Sequence, residues 1–153
     1  MKRAVRVMGV IAALALCLLV GMQAAIRLAP SDPAIWHVDP ALVAVPETPN
    51  HWLLRADGNA PPLLLPLPPD QAAARLEAIA LATPRTRRLA GQGVHVTYIT
   101  RSPFWGFPDY TSVRITATPT GSAVVMFARA RFGTSDMGVN RRRVEDWIAQ
   151  LRS

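Results

Sequence analysis

The sequence predicts an α+β fold in which a small antiparallel sheet of three to four strands is packed by two helices and preceded by one transmembrane helix. Three observations support this class. An uncharged apolar run lies near the N-terminus, strand-like alternation marks the second half, and two helix-like segments flank the alternating part. The length of 153 residues allows one domain with an appendage.

The first element is the run from Val7 to Ile26, which contains no charged residue. A helix of this length spans about 30 Å, the thickness of the hydrocarbon core of a bilayer. Three basic residues precede the run, at Lys2, Arg3 and Arg6. After it, Arg27 is the only basic residue before Arg55. By the positive-inside rule we expect a bacterial inner-membrane protein with a cytoplasmic N-terminus and a periplasmic C-terminal part.

Two other interpretations of this run involve processing. A cleavable signal peptide would be cut near Ala24 or Ala25, but the run is longer than a signal core of roughly 7–15 residues. A lipoprotein signal would end at Cys17, where Leu16 stands in the place of the usual small residue. We therefore favour a retained anchor over residues 1–27. The single cysteine also excludes an intramolecular disulfide.

Residues 28–69 are predicted to form a proline-rich tether. Ten of the fourteen prolines lie between Pro30 and Pro69, and each removes a backbone donor and fixes φ. Trp36 follows the span closely, so it either lies at the membrane surface or covers the flank of the domain. Leu63–Leu67 is apolar enough for an edge strand interrupted by Pro66.

The folded domain is predicted over residues 70–153. Its first helix begins with Asp70 as the N-cap and stops before Pro84. Three strands follow, over Val94–Thr100, Tyr110–Thr118 and Ala123–Arg131. The turn at residues 119–122 makes the second and third strands an antiparallel hairpin. The last helix begins with Asn140 as the N-cap and buries an amphipathic face of Val144, Trp147, Ile148 and Leu151.

A dense polar segment, from Phe132 to Glu145, joins the third strand to the last helix. It contains the pattern G-x-S-D-x-G-x-N-x-x-R, here at Gly133, Ser135, Asp136, Gly138, Asn140 and Arg143. In this pattern the chain resembles the DUF1499 family, a group of bacterial and plastid proteins with no assigned function. Weaker upstream similarities lie at Pro49-Asn50, at Arg101-Ser102 and at Phe107-Pro108-Asp109. The resemblance covers roughly residues 48–151 and implies a family and domain boundaries, but no activity.

The chain departs from the family pattern at one place. His51 and Trp52 stand where many members have a cysteine near the P-N element. Thiol chemistry of such members is therefore not carried over to this chain.

The same segment suggests an anion site. Its glycines allow positive φ, a helix N-terminus offers free N–H groups, and arginines add bidentate donors. A lipid headgroup, a cell-wall fragment or an acidic side chain of a partner would suit it. The proposed residues are Arg129, Arg131, Gly133, Ser135, Asp136, Gly138, Asn140 and Arg143. The competing interpretation is that Asp136 and Asn140 cap the helix and pair internally with an arginine.

An aromatic loop lies between the first two predicted strands. Phe104, Trp105 and Phe107 form either a patch that binds a partner protein or a cover over the end of the core.

The leading hypothesis for function is a non-catalytic, membrane-anchored domain that binds an envelope protein or an anionic ligand. The alternative is a cell-envelope hydrolase or transferase that uses Asp109, Asp136 and nearby arginines. No metal site is predicted, because the three histidines lie far apart in sequence, and no cofactor motif is present. The net charge of +7 does not predict nucleic-acid binding, because four of the basic residues flank the span and the domain is exported.

Overall fold

The computed structural model describes residues 2–153, with Lys2 by its backbone alone. It contains four helices among these residues: α1 (Lys2–Leu28), α2 (Pro33–Trp36), α3 (Pro69–Ala82) and α4 (Val139–Arg152). The six strands are β1 (His51–Leu54), β2 (Leu63–Leu65), β3 (Thr86–Gln92), β4 (His95–Arg101), β5 (Pro108–Thr118) and β6 (Gly121–Ala130). The α+β class with a preceding apolar helix is therefore confirmed.

All strands belong to one antiparallel sheet with the order β1-β6-β5-β4-β3, and β2 also pairs with β6. β1 pairs with the C-terminal half of β6, where His51 faces Arg129, and β2 pairs with its beginning, where Leu63 faces Val124. The predicted hairpin is present as β5 and β6, which turn between Thr118 and Gly121.

The sheet has six strands, and the prediction of three to four was too low. β3 was missed because it is an edge strand rich in arginine, without an apolar alternation, and its pairing with β4 is interrupted between Arg88 and Ala90. β1 was missed because it lies in the proline-rich segment that the sequence predicts to be a tether. β2 confirms the strand predicted within Leu63–Leu67, and it ends at Leu65, before Pro66. Both strands are short, so prolines flank them without entering the ladder.

The two long helices of the domain cover one face of the sheet. α3 buries Leu76 and Ala80, and α4 buries Val144, Trp147 and Leu151, against the apolar side of β4, β5 and β6. Trp147 meets Tyr98 edge to face, and its indole N–H donates to the Thr83 hydroxyl at 2.8 Å. The predicted amphipathic face of α4 is confirmed, except that Ile148 is only half-buried.

The segment after α1 covers the opposite face of the sheet. Trp36 stacks on Tyr110 with a centroid separation of 4.0 Å, and the His37 imidazole is 2.8 Å from the Thr97 hydroxyl. Asp39 forms an ion pair with Arg114 on β5. Of the two positions considered for Trp36, the structure shows the one on the domain. Without this segment, large side chains on the second face would be exposed to water.

Two predicted helix starts are wrong. α3 begins one residue earlier, with Pro68 as the N-cap, and Asp70 lies in the first turn. The N-cap of α4 is Gly138, whose φ of 74° places it in the left-handed region, while Asn140 lies inside the helix and is fully buried. The first turn of α4 is capped from outside by the Asp136 carboxylate.

The helix α1 is long and apolar enough to cross a membrane by length and composition. Within Arg3–Leu28 the most apolar window of 18 residues has a mean hydropathy of 2.4, and none of that window is buried inside the protein. An apolar helix with its most apolar window left uncovered suggests a membrane anchor or a signal sequence.

Candidate functional site

A buried ion pair lies at the end of the sheet where β5 begins. Asp109 is on the helix-covered face of β5, and Arg143 is in the first turns of α4. Arg143 Nη2 donates to Asp109 Oδ2 at 2.8 Å, and Arg143 Nη1 donates to Asn140 Oδ1 at 2.8 Å. Burial raises the pKa of the Asp109 carboxyl, and the neighbouring Arg143 opposes this by favouring the charged form.

Asp136, the carboxylate of the motif, caps α4. It accepts from the Gly138 amide at 3.0 Å and from the Asn140 amide at 2.8 Å. The N–H groups of Gly138, Val139 and Asn140 at this helix N-terminus are therefore already bonded within the chain. The Gly133 carbonyl accepts from the Asn50 side chain at 2.8 Å, which joins the early P-N element to this loop.

A cleft of about 500 Å³ opens beside the ion pair, between the C-terminal end of α3, the first turns of α4 and the adjoining ends of β4 and β5. We call it the interhelix cleft. Its charged lining consists of Arg85, Arg101, Asp109, Arg142, Arg143 and Asp146. The four arginines and two aspartates give the cleft a positive balance.

Three of these arginines have no carboxylate partner within ion-pair distance among the described residues. Arg85 Nε donates to the Arg101 carbonyl at 3.1 Å, Arg101 Nη1 donates to the Gly106 carbonyl at 2.8 Å, and Arg142 Nη1 donates to the Met137 carbonyl at 3.0 Å. Carbonyls fix the guanidinium groups without neutralising them. Their remaining N–H donors are suited to phosphate or carboxylate oxygens.

Arg85 reaches the cleft from the turn between α3 and β3. Its φ of 59° lies in the left-handed region, which is strained for a residue with a β-carbon. Arg85 was not predicted as a site residue, although it directly follows Pro84, which stops the helix in the sequence pattern. Asp146 was also missed, because nothing in the sequence shows that the exposed side of α4 lines a cavity.

The predicted anion-site residues do not all come together. Of the set, only Arg143 lines the interhelix cleft. Arg129 and Arg131 lie on the opposite face of the sheet, where their guanidinium carbons are 4.8 and 5.7 Å from the Trp36 ring centroid. Burial lowers the pKa of Arg129. These two arginines therefore hold the covering segment on the sheet.

The loop residues of the motif line a separate cavity of about 230 Å³, to which Ser135, Asp136 and Gly138 contribute. Asp136 faces this second cavity, whereas Asp109 faces the interhelix cleft. The two carboxylates therefore do not line one common cleft.

The aromatic loop between β4 and β5 lies at the same end of the sheet. Phe104 is 69% exposed and meets Trp105 edge to face at 5.2 Å, whereas Trp105 and Phe107 are half-buried. Phe107 continues the cluster to Phe132, at 5.7 Å. Phe104 also contacts α1, because its carbonyl accepts from the side chains of Gln23 and Arg27.

The fold and the cleft define an α+β domain behind an apolar N-terminal helix, with its motif residues gathered at one end of an antiparallel sheet. Residues 38–151 match the family described as "Protein of unknown function (DUF1499)". The chain belongs to this family.

No curated protein matches the chain. Among solved structures, it is similar to protein MLL2253 from Mesorhizobium loti, with 13% identity and a TM-score of 0.41 over 67% of this chain and 96% of that one.

Because Asp109 and Arg143 form a buried ion pair, the effects of their substitutions on stability should be strongly coupled. Asp109→Ala leaves Arg143 buried without an anion, and we expect the free energy of unfolding to fall by about 3 kcal/mol. Arg143→Met leaves Asp109 unpaired and should act similarly. In the double variant, the free energy of unfolding should fall by clearly less than the sum of its decreases in the two single variants.

Urea denaturation of the full-length protein in detergent, followed by circular dichroism, measures these losses. Arg141→Met is the matched control, because Arg141 makes an exposed ion pair with Glu145 on the same helix, and it should change stability by less than about 0.5 kcal/mol. Additive losses in the double variant would contradict the coupling.

Proposed function

We propose that this chain is a bacterial inner-membrane protein held by α1, with its N-terminus in the cytoplasm and its folded domain in the periplasm. The length and hydropathy of α1 support a span, and the basic residues before Val7 support this orientation. Retention of α1 is further supported by its contacts with the domain, since Gln23 and Arg27 both donate to the Phe104 carbonyl at 2.7 Å.

The proposed role of the domain is to bind an anionic ligand in the interhelix cleft without catalysing a reaction. The observation that carries this proposal is the presence of Arg85, Arg101 and Arg142 in the cleft without carboxylate partners. Such unneutralised arginines repel one another, and an anion that entered between them would relieve this repulsion. Envelope ligands that carry phosphate or carboxylate have the required chemistry.

The alternative of an envelope hydrolase or transferase using Asp109 and Asp136 has less support. The Asp109 carboxylate is held by Arg143, the Asp136 carboxylate caps α4, and the two line different cavities. A pair of carboxylates that cooperates on one substrate would share a cleft.

Binding in the cleft is tested by titrating the full-length protein in detergent micelles with inorganic phosphate, followed by NMR. We expect shifts around Arg85, Arg101 and Arg142, and about tenfold weaker binding in Arg142→Gln, because a charge-assisted contact is lost. Arg141→Gln, the neighbouring change with the same loss of charge, should bind as the wild type does. Equal affinities of wild type and Arg142→Gln would contradict the assignment.

The orientation is tested by a fusion of a reporter enzyme after Ser153. A reporter that is active only in the periplasm should be active, and a reporter that is active only in the cytoplasm should not. The reverse pattern would place the domain in the cytoplasm and overturn the proposed location.

A further inference from the structure

A second basic cavity lies where α1 meets the domain. It has a volume of about 310 Å³, and its polar lining consists of Arg27, Arg85, Thr86, Arg87, Arg101 and Ser102. We call it the junction pocket. It shares Arg85 and Arg101 with the interhelix cleft, and it adds Arg27 from α1 and Arg87 from β3.

Among the residues that the structure describes, no acidic side chain lines the junction pocket. Its arginines also affect each other: burial lowers the pKa of Arg101, and the charges of Arg87 and Arg27 lower it further. A half-buried guanidinium with other cations around it and no carboxylate beside it is electrostatically unfavourable in the free protein. A bound anion would remove this penalty.

The geometry of α1 places this pocket at the level of lipid headgroups. The last turns of α1 run beside the loop between β4 and β5, and a β-carbon on Gly106 would lie 2.8 Å from Arg27 Cγ. Arg27 directly follows the uncharged run Val7–Ile26, so a bilayer that accommodates this run ends at Arg27. The junction pocket lies at that boundary because Arg27 is part of its lining.

An apolar side chain is exposed at the same boundary. Phe104 is 69% exposed, and its carbonyl accepts from Gln23 and Arg27 in the last turns of α1. An aromatic ring beside a cluster of arginines is the pattern of a surface that meets both the acyl chains and the headgroups of a bilayer. In water the exposed Phe104 ring would have no apolar surface to pack against.

We propose that the junction pocket binds the phosphate of an anionic phospholipid headgroup, while Phe104 inserts beside α1 into the interface of the bilayer. This proposal rests on the membrane anchoring by α1 that is part of the proposed function. The lipid site differs from the anion site in the interhelix cleft, because Arg27 and Arg87 line the junction pocket and not the cleft. The bound lipid neutralises the pocket and fixes the domain against the membrane surface.

A lipid is favoured over a soluble phosphate because the lipid is already held next to the pocket. Headgroups beside a transmembrane helix are present at a high effective concentration, whereas a soluble ion has to be captured from dilute solution. Each arginine near a surface of anionic lipid contributes roughly 1 kcal/mol, so the loss of one should weaken binding about fivefold.

The test uses the full-length protein in detergent micelles, titrated with phosphatidylglycerol or phosphatidylcholine and followed by native mass spectrometry. We expect phosphatidylglycerol to bind at least fivefold more tightly than phosphatidylcholine, and Arg87→Gln to weaken it about fivefold. Arg88→Gln is the matched control, since Arg88 is the next residue of β3 and pairs with Glu77 instead of lining the pocket. Equal binding of the two lipids, or equal effects of the two variants, would overturn the proposal.

A second arm separates lipid from free phosphate. Inorganic phosphate, added at millimolar concentration, should not displace phosphatidylglycerol. Displacement would assign the pocket to a soluble anion and overturn the lipid assignment. Arg142→Gln should leave lipid binding unchanged, because Arg142 lines the interhelix cleft and not the junction pocket. If the cleft proposal fails, wild type and Arg142→Gln bind phosphate equally. If the lipid proposal fails, Arg87→Gln and Arg88→Gln affect lipid binding equally.

Discussion

The six-stranded sheet has two faces with large side chains, and both have to be covered before the domain is stable. α3 and α4 cover one face, and the segment between α1 and β1 covers the other through Trp36 on Tyr110. Because this covering segment directly follows α1, the C-terminal end of α1 cannot lie far from the domain. The coverage of the second face therefore brings the apolar helix to the loop that contains Phe104.

The arginines of the domain fall into two groups according to whether they have a partner within the fold. Arginines that serve the fold are engaged: Arg143 with Asp109, Arg114 with Asp39, and Arg129 with the Trp36 ring. Arginines at the end of the sheet next to α1 are fixed by carbonyls and keep their charge unneutralised. Positive charge without an internal partner is thus concentrated where an anchored domain would face lipid, which connects the two anion sites that we propose.

The sequence predicted the elements whose pattern depends on one buried face. The alternation of β5 and the spacing of Val144, Trp147 and Leu151 in α4 were sufficient to predict these two elements. Burial on one side produces such patterns within a short stretch of sequence. β1 and β3 were missed, since an edge strand with prolines or arginines around it has no such pattern. The family resemblance led to Arg143 and to Asp109, but their pairing and the cleft around them depend on contacts between residues distant in sequence.

We propose that the end of the domain with Phe104 lies at the membrane surface. A spin label at Phe104→Cys and another at Ala117→Cys near the far end of β5, in a Cys17→Ala background in lipid nanodiscs, test this position. Electron paramagnetic resonance measures the access of oxygen and of a water-soluble nickel complex to each label. We predict that the label at 104 is more accessible to oxygen and the label at 117 to nickel. Equal, water-like accessibility at both positions would show that Phe104 does not lie at the membrane surface.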